Sequence, residues 1–152
     1  MIKIYTRGIC RPNPGRGAWS AAIIVDDNHK QGVRSRVKSS TSQQVGLVAA
    51  LRSLRFLRAY LTQHDLPIMP ITVYTDSRYV ADAFNHRWVV KWQENGYRKL
   101  QRNQPISHAE LWKQLIAVVD SFPVPVRFVT RTSPGPYDER INELTEELMK
   151  GG

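Results

Sequence analysis

The chain has 152 residues, 41% of them hydrophobic and 23% charged, which is long enough for one domain whose core needs neither a disulfide nor a structural metal. Twenty-two Lys and Arg against thirteen Asp and Glu give a formal charge of +9, the balance expected of a protein that meets phosphates, although a well-solvated surface produces it too. The single cysteine, Cys10, excludes an intramolecular disulfide and a multi-thiolate zinc site, and no apolar run approaches the roughly 18 residues of a membrane span.

Four histidines, His29, His64, His86 and His108, are scattered without the short spacings of metal ligation, so solvated or capping roles are expected of them. Met1 to Tyr5 reads as a strand and not as a secretory leader, which implies a cytoplasmic location. No repeat, low-complexity stretch or linker divides the chain, so residues 1–152 are expected to form one domain.

In chain order, Ile2 to Thr6 is a short β run. A turn follows over Arg11-Pro12-Asn13-Pro14-Gly15-Arg16-Gly17, in which Pro14 fixes φ and Gly15 permits a positive one. Trp19 to Val25 returns as a second strand. Gln31 to Lys38 alternates as a third, with Arg34, Arg36 and Lys38 on one face, which is expected to be a solvated edge or to face phosphates. From Ser42 to Leu61, Val45, Val48, Leu51, Leu54 and Leu57 recur at three-residue steps and predict an amphipathic helix. Its stripe of Arg52, Arg55 and Arg58 is more often a solvated face than a binding one.

Pro67 and Pro70 break the chain before a strand at Ile71 to Thr75, and a helix starts near Ser77. His108 to Ser121 is helical with Trp112 on its core side, Val124 to Thr130 is the last strand, and Asp138 to Lys150 a final helix. Three successive strands predict an antiparallel meander, and the later helical crossovers predict parallel pairing. The expected fold is therefore α/β, a five-stranded mixed sheet flanked by helices.

Five local motifs in this order resemble type 1 ribonuclease H over nearly the whole chain. Tyr5-Thr6-Arg7-Gly8-Ile9-Cys10 with Asn13-Pro14-Gly15 is similar to the family's first strand and turn. Thr41-Ser42-Gln43-Gln44-Val45-Gly46-Leu47 resembles the start of its first helix. Tyr74-Thr75-Asp76-Ser77-Arg78-Tyr79-Val80 is similar to its Thr-Asp-Ser-x-Tyr-Val signature, the most specific of the five. Trp88, Trp92, Gly96 and Tyr97 with the basic residues around them resemble its substrate-gripping basic protrusion. Asp138-Glu139-Arg140-Ile141-Asn142-Glu143-Leu144 resembles its last motif.

The resemblance implies two-metal phosphodiester hydrolysis, in which four carboxylates hold two divalent ions about 4 Å apart. It assigns those carboxylates to positions occupied here by Arg7, Gly46, Asp76 and Asn142, so only Asp76 is acidic. The family's mobile loop histidine aligns with Thr132. At about 4 Å and an effective dielectric of 20, each unit charge pair amounts to roughly 4 kcal/mol, so Arg7 repels an ion that an aspartate would hold. The expectation is that Arg7 pairs with Asp76 in place of the metals, with Asp76 plus Asp138 as the rival way to hold one ion. No catalytic residue, metal ligand or cofactor is assigned.

The substrate-facing positions are better kept. By resemblance, Asn13, Thr41, Ser42 and Gln43 lie where a nucleic-acid backbone is contacted, although Ser42 and Gln43 replace the family's paired asparagines. Arg87, Trp88, Lys91, Arg98, Lys99 and Arg102 are the remaining nucleic-acid-binding candidates, with cations tracking phosphates and Trp88 resting on sugars or bases. Trp92 fits a structural role better. The function this implies is a catalytically inactive ribonuclease H-like protein that binds RNA/DNA hybrid or another duplex. The alternatives are a protein-interaction or scaffold module within a nucleoprotein assembly and a divergent metal-dependent nuclease. Nucleic acid is the expected partner and a protein partner is open, with no membrane or small-molecule substrate indicated.

Overall fold

The computed structural model describes residues 1–99, 106–131, 135 and 137–150. Strands β1 (Ile2–Cys10), β2 (Gly15–Asp26) and β3 (His29–Ser40) precede helix α1 (Ser42–Gln63). Strand β4 (Ile71–Thr75), α2 (Arg78–Asn85), α3 (Trp88–Glu94), α4 (Ala109–Ser121), β5 (Val126–Thr130) and α5 (Asp138–Lys150) follow. The sheet runs β3-β2-β1-β4-β5. The β1–β2 and β2–β3 pairs are antiparallel and the β1–β4 and β4–β5 pairs parallel, so the expected mixed sheet is present.

Alternation along the central strands supplies two buried faces. Ile2, Ile4, Trp19, Ala21, Ile23 and Val73 point into one core with Leu47, Leu54 and Leu57 of α1, while Tyr5 and Ala22 point to the other side against Ile141 of α5. α1 starts where the Thr41 side chain accepts the Gln44 N–H at 3.2 Å, and α2 where Ser77 accepts the Val80 N–H at 3.2 Å. Both are hydroxyl caps placed at the same end of the sheet. Trp112 of α4 is fully buried, as its position in the helical pattern predicts.

Two sequence expectations change and two gain contacts. β1 continues to Cys10 instead of ending at Thr6, because Arg7, Gly8, Ile9 and Cys10 pair with Ser20, Trp19, Ala18 and Gly17. Gly15 keeps a negative φ; what it supplies is close approach, since a Cβ there would lie 2.5 Å from the Pro12 carbonyl oxygen. β3 is an edge strand whose Arg34, Arg36 and Lys38 are exposed, as the solvated-edge reading expects, but the two arginines also hold α5. Arg34 Nη1 meets Glu147 at 3.2 Å and Arg36 Nε donates to the Leu148 carbonyl at 3.1 Å, so the end of α5 lies against it. In the α1 stripe, Arg55 donates to Gln114 of α4 at 2.9 Å and the Arg58 guanidinium lies 5.8 Å from the Phe122 ring centre. These arginines work between helices as much as toward water.

Candidate functional site

The carboxyl ends of β1 and β4 and the starts of α1, α2 and α5 converge on Asp76. Parallel pairing of β1 with β4 brings Asp76, one residue past β4, beside Gly8, whose backbone N–H donates to both carboxylate oxygens at 3.3 and 3.1 Å. Gly8 must be small: a Cβ there would come 2.8 Å from Val45 Cγ1 of α1. Gly46 is equally confined, because a Cβ would lie 2.7 Å from both Cβ and Oγ of Ser77. A side chain at position 46 would therefore run into the α2 cap. A cavity of about 240 Å³ remains beside it, bordered by Gly8, Ser42, Gly46, Asp76 and Arg78.

α5 covers the other side. Ser20, the cross-strand partner of Arg7, donates to the Ile141 carbonyl at 2.8 Å and contacts the Thr145 hydroxyl at 2.5 Å, which holds Asn142 above β1. The four positions Arg7, Gly46, Asp76 and Asn142 therefore surround one end of the sheet. Asp76 has its pKa raised, first by burial, against the opposing pull of the Gly8 N–H and of the Arg7 and Arg131 charges.

The expected Arg7–Asp76 ion pair is not formed. Among the described residues no carboxylate stands within ion-pair distance of Arg7, and its Nε is buried without a hydrogen-bond partner. The arginine that does pair is Arg131, just past β5. Its backbone N–H donates to the Thr75 carbonyl at 2.8 Å, its Nη1 to the Thr6 carbonyl at 2.7 Å, and its Nη2 makes an ion pair with Asp138. Both side chains are nearly buried, at 12% and 13% exposure. Asp138 also accepts the Gly135 N–H, so the rival ligand for a metal is held by a guanidinium and a loop amide. Sequence reasoning missed Arg131; the available signal was a cation directly after the last strand, where the chain leaves the sheet's carboxyl end.

The donor set does not fit a pair of divalent ions. Asp76 is the one carboxylate not pinned by a cation, Asn142 offers a neutral amide, and among the described residues no three His, Cys, Asp or Glu side chains group closely enough to hold a metal.

The substrate-facing candidates lie beside this end. Asn13 Nδ2 donates to Ser42 Oγ at 3.0 Å and Asn13 Oδ1 accepts the Ser42 N–H at 3.2 Å, so the exposed turn is clamped to the first residue of α1. Thr41 is spent on the helix cap, and Gln43 is exposed on the first turn. In the protrusion, Trp92 packs on Trp112 with ring centres 4.9 Å apart, and the Trp112 N–H donates to the Tyr79 hydroxyl at 2.8 Å. Trp92 is thus an anchor, as expected. Trp88 is 39% exposed and stacks on His86 at 5.7 Å. Arg87, Lys91, Arg98 and Lys99 are exposed around it, with the Arg98 backbone N–H held by Asn95 Oδ1 at 3.3 Å. Arg102 and Thr132 lie outside the described residues.

The sequence model of the RNase H family matches residues 1–147. The chain belongs to the RNase H family. It is 32% identical over 148 residues to the ribonuclease H of Moorella thermoacetica, covering 97% of this chain and 91% of that protein. To that of Acetivibrio thermocellus it is 31% identical, covering 98% and 95%. Among solved structures, LC11-RNase H1 in complex with RNA/DNA hybrid superposes with a TM-score of 0.74 at 18% identity, over 99% of this chain and 98% of that one. RNase H1 of Halobacterium salinarum superposes with a TM-score of 0.70 at 15% identity, again over 99% and 98%. At these identities the structural likenesses establish the fold. No helix among the described residues is long and apolar enough to cross a membrane.

Proposed function

We propose that this RNase H-family chain binds RNA/DNA hybrid or a related duplex and does not cleave it. One observation carries the reading. Where the family resemblance asks for four convergent carboxylates, the chain presents Asp76 beside Arg7 and Arg131, a closed Gly46 and an Asp138 already neutralised by Arg131. Two divalent ions bring four positive charges to a site that already contains guanidiniums, and metal-assisted attack on a phosphodiester loses its ligands. The surface used to hold a duplex loses far less. The Asn13–Ser42 clamp and the exposed Arg87, Trp88, Lys91, Lys99 group supply backbone hydrogen bonds, phosphate cations and an aromatic face. The fit of the fold to LC11-RNase H1, a protein solved with RNA/DNA hybrid, supports the choice of ligand.

A second reading, a protein-interaction module in a nucleoprotein assembly, draws on a different end of the molecule. Met1, Ile68 and Met69 are 62%, 41% and 44% exposed and are brought together by the Ile2 N–H bond to the Pro70 carbonyl at 2.8 Å.

The test is a fluorescence titration of labelled hybrid and of equal-length DNA duplex in rising salt, with each sample checked for strand integrity. Salt-sensitive binding with intact strands is expected. Absence of binding at low salt would transfer the function to the apolar end, and cleaved strands would restore the nuclease.

A further inference from the structure

We propose that the cleft at Asp76 grips a backbone phosphate of the bound nucleic acid directly through the chain's own guanidiniums, so that binding needs no divalent cation. This rests on the nucleic-acid-binding reading and adds the chemistry by which one phosphate is held.

Charge and hydrogen-bonding capacity at the cleft support it. Arg7 does not border the cavity itself but acts on the Asp76 charge from the α5 side of the sheet; its Nε is buried and unpartnered and no carboxylate stands within ion-pair distance among the described residues, an unusual state for a half-buried guanidinium. Arg78, the first residue of α2, borders the cavity that Asp76 and Ser42 also line. Arg131 adds its field to Asp76 while its Nη groups hold Thr6 and Asp138. With Glu146, which feels the Arg7 charge and is paired with Arg11, four guanidiniums (Arg7, Arg11, Arg78 and Arg131) stand against three carboxylates (Asp76, Asp138 and Glu146), an excess of positive charge that is the opposite of what a metal cradle requires and what an anion seeks. The first turns of α1 and α2 carry no acidic residue, whereas Asp76 just before the α2 cap and Asp138 and Glu139 at the start of α5 oppose an anion, Asp138 being paired with Arg131.

A nuclease of this fold would meet the phosphate through its ions, and the carboxylates would help it bind. Here the sign is reversed: Asp76 lies beside the phosphate without a metal between them and repels it. Opposite responses at neighbouring residues follow. Removing Arg7 charge weakens binding, and removing Asp76 charge strengthens it.

The experiment measures the affinity of the full chain for labelled RNA/DNA hybrid in Mg²⁺ and in EDTA at matched ionic strength, for wild type, Arg7→Gln, Arg7→Lys and Asp76→Asn, with thermal melts to verify folding. Wild type is expected to bind within about two-fold in the two buffers at matched salt. Arg7→Gln is expected to bind about ten-fold more weakly, the loss of one charged hydrogen bond, with Arg7→Lys recovering part. Asp76→Asn is expected to bind about three-fold more tightly, and a variant that strengthens binding is folded. Wild-type binding that collapses in EDTA, an Asp76→Asn protein that binds more weakly, or a folded Arg7→Gln protein with wild-type affinity would each overturn the inference and leave the binding function intact. Failure of wild type to bind hybrid in either buffer would overturn both.

Discussion

The two regions of the candidate site hold their side chains in different ways. At the Asn13–Ser42 corner and along α3, exposed polar, cationic and aromatic side chains stand on a scaffold that holds them: a two-bond clamp on one side and the Trp92–Trp112 contact on the other. At the sheet's carboxyl end the contacts turn inward. Ser77 lies close against Gly46 of α1, and Arg131 and Asp138 form a nearly buried ion pair. A surface can exchange one polar contact for another at little cost, whereas a cluster of buried charges must be compensated as a unit once one member changes. At the carboxyl end that compensation is the Arg131–Asp138 pair.

The largest effect should come from breaking that compensation. Asp138→Asn leaves Arg131 nearly buried without a counter-charge and is expected to destabilise the fold by about 3 kcal/mol in denaturant unfolding. Combining Arg131→Met with Asp138→Leu should recover most of the loss. An Asp138→Asn protein as stable as wild type would mean that the pair is a surface contact and the contrast with the Asn13 corner is false.

Gly46 tests how tightly α1 packs against the α2 cap. Gly→Ala within a helix ordinarily stabilises by up to about 1 kcal/mol, but here the new Cβ meets Ser77 at 2.7 Å, and a net loss of about 1–2 kcal/mol is expected. A stabilised Gly46→Ala protein would show that α1 and α2 separate easily, and with it that a carboxylate could be readmitted.

The proposed nucleic-acid surface should respond in binding and hardly in stability. Lys91→Gln is expected to weaken hybrid binding a few-fold and to reduce the slope of log affinity against log salt by about 1, with an unchanged melting temperature. An unchanged salt slope would remove the protrusion from the interface.

The smallest effect is one of pH. Burial holds the Asp76 pKa above the ordinary carboxylate value. Between that value and the raised one, the folded chain binds more protons than the unfolded chain, so this residue's contribution to stability falls as pH rises through the window. Asp76→Asn abolishes the titration, and its melting temperature relative to wild type should therefore rise as pH climbs from the ordinary carboxylate range through the raised pKa. A difference that falls over that range would mean that Arg7 and Arg131 stabilise the carboxylate more than burial penalises it.

Much of the fold is legible in the residues because its signals are periodic. The apolar set from Val45 to Leu57 places α1, and the alternation through Trp19, Ala21 and Ile23 places β2 on the core. Boundaries fare worse at Arg7 to Cys10, where a charged residue and a glycine hide a strand that cross-strand pairing with Ser20 and Trp19 completes. The site is legible where one residue type decides the chemistry, as at Asp76. It is not where partners are chosen in three dimensions: Arg7 and Asp76 share a site without pairing, while Arg131 reaches an aspartate from the next helix. The basic face of β3 is legible as a solvated edge, but nothing local shows that Glu147 and the Leu148 carbonyl will meet it.

The most direct measurement is a single-turnover reaction in which end-labelled RNA/DNA hybrid is saturated with the protein in Mg²⁺, with one portion assayed for retention and one for strand length. The account predicts retained hybrid of full length at all times. Metal-dependent shortening of the RNA strand that disappears in Asp76→Ala would contradict it.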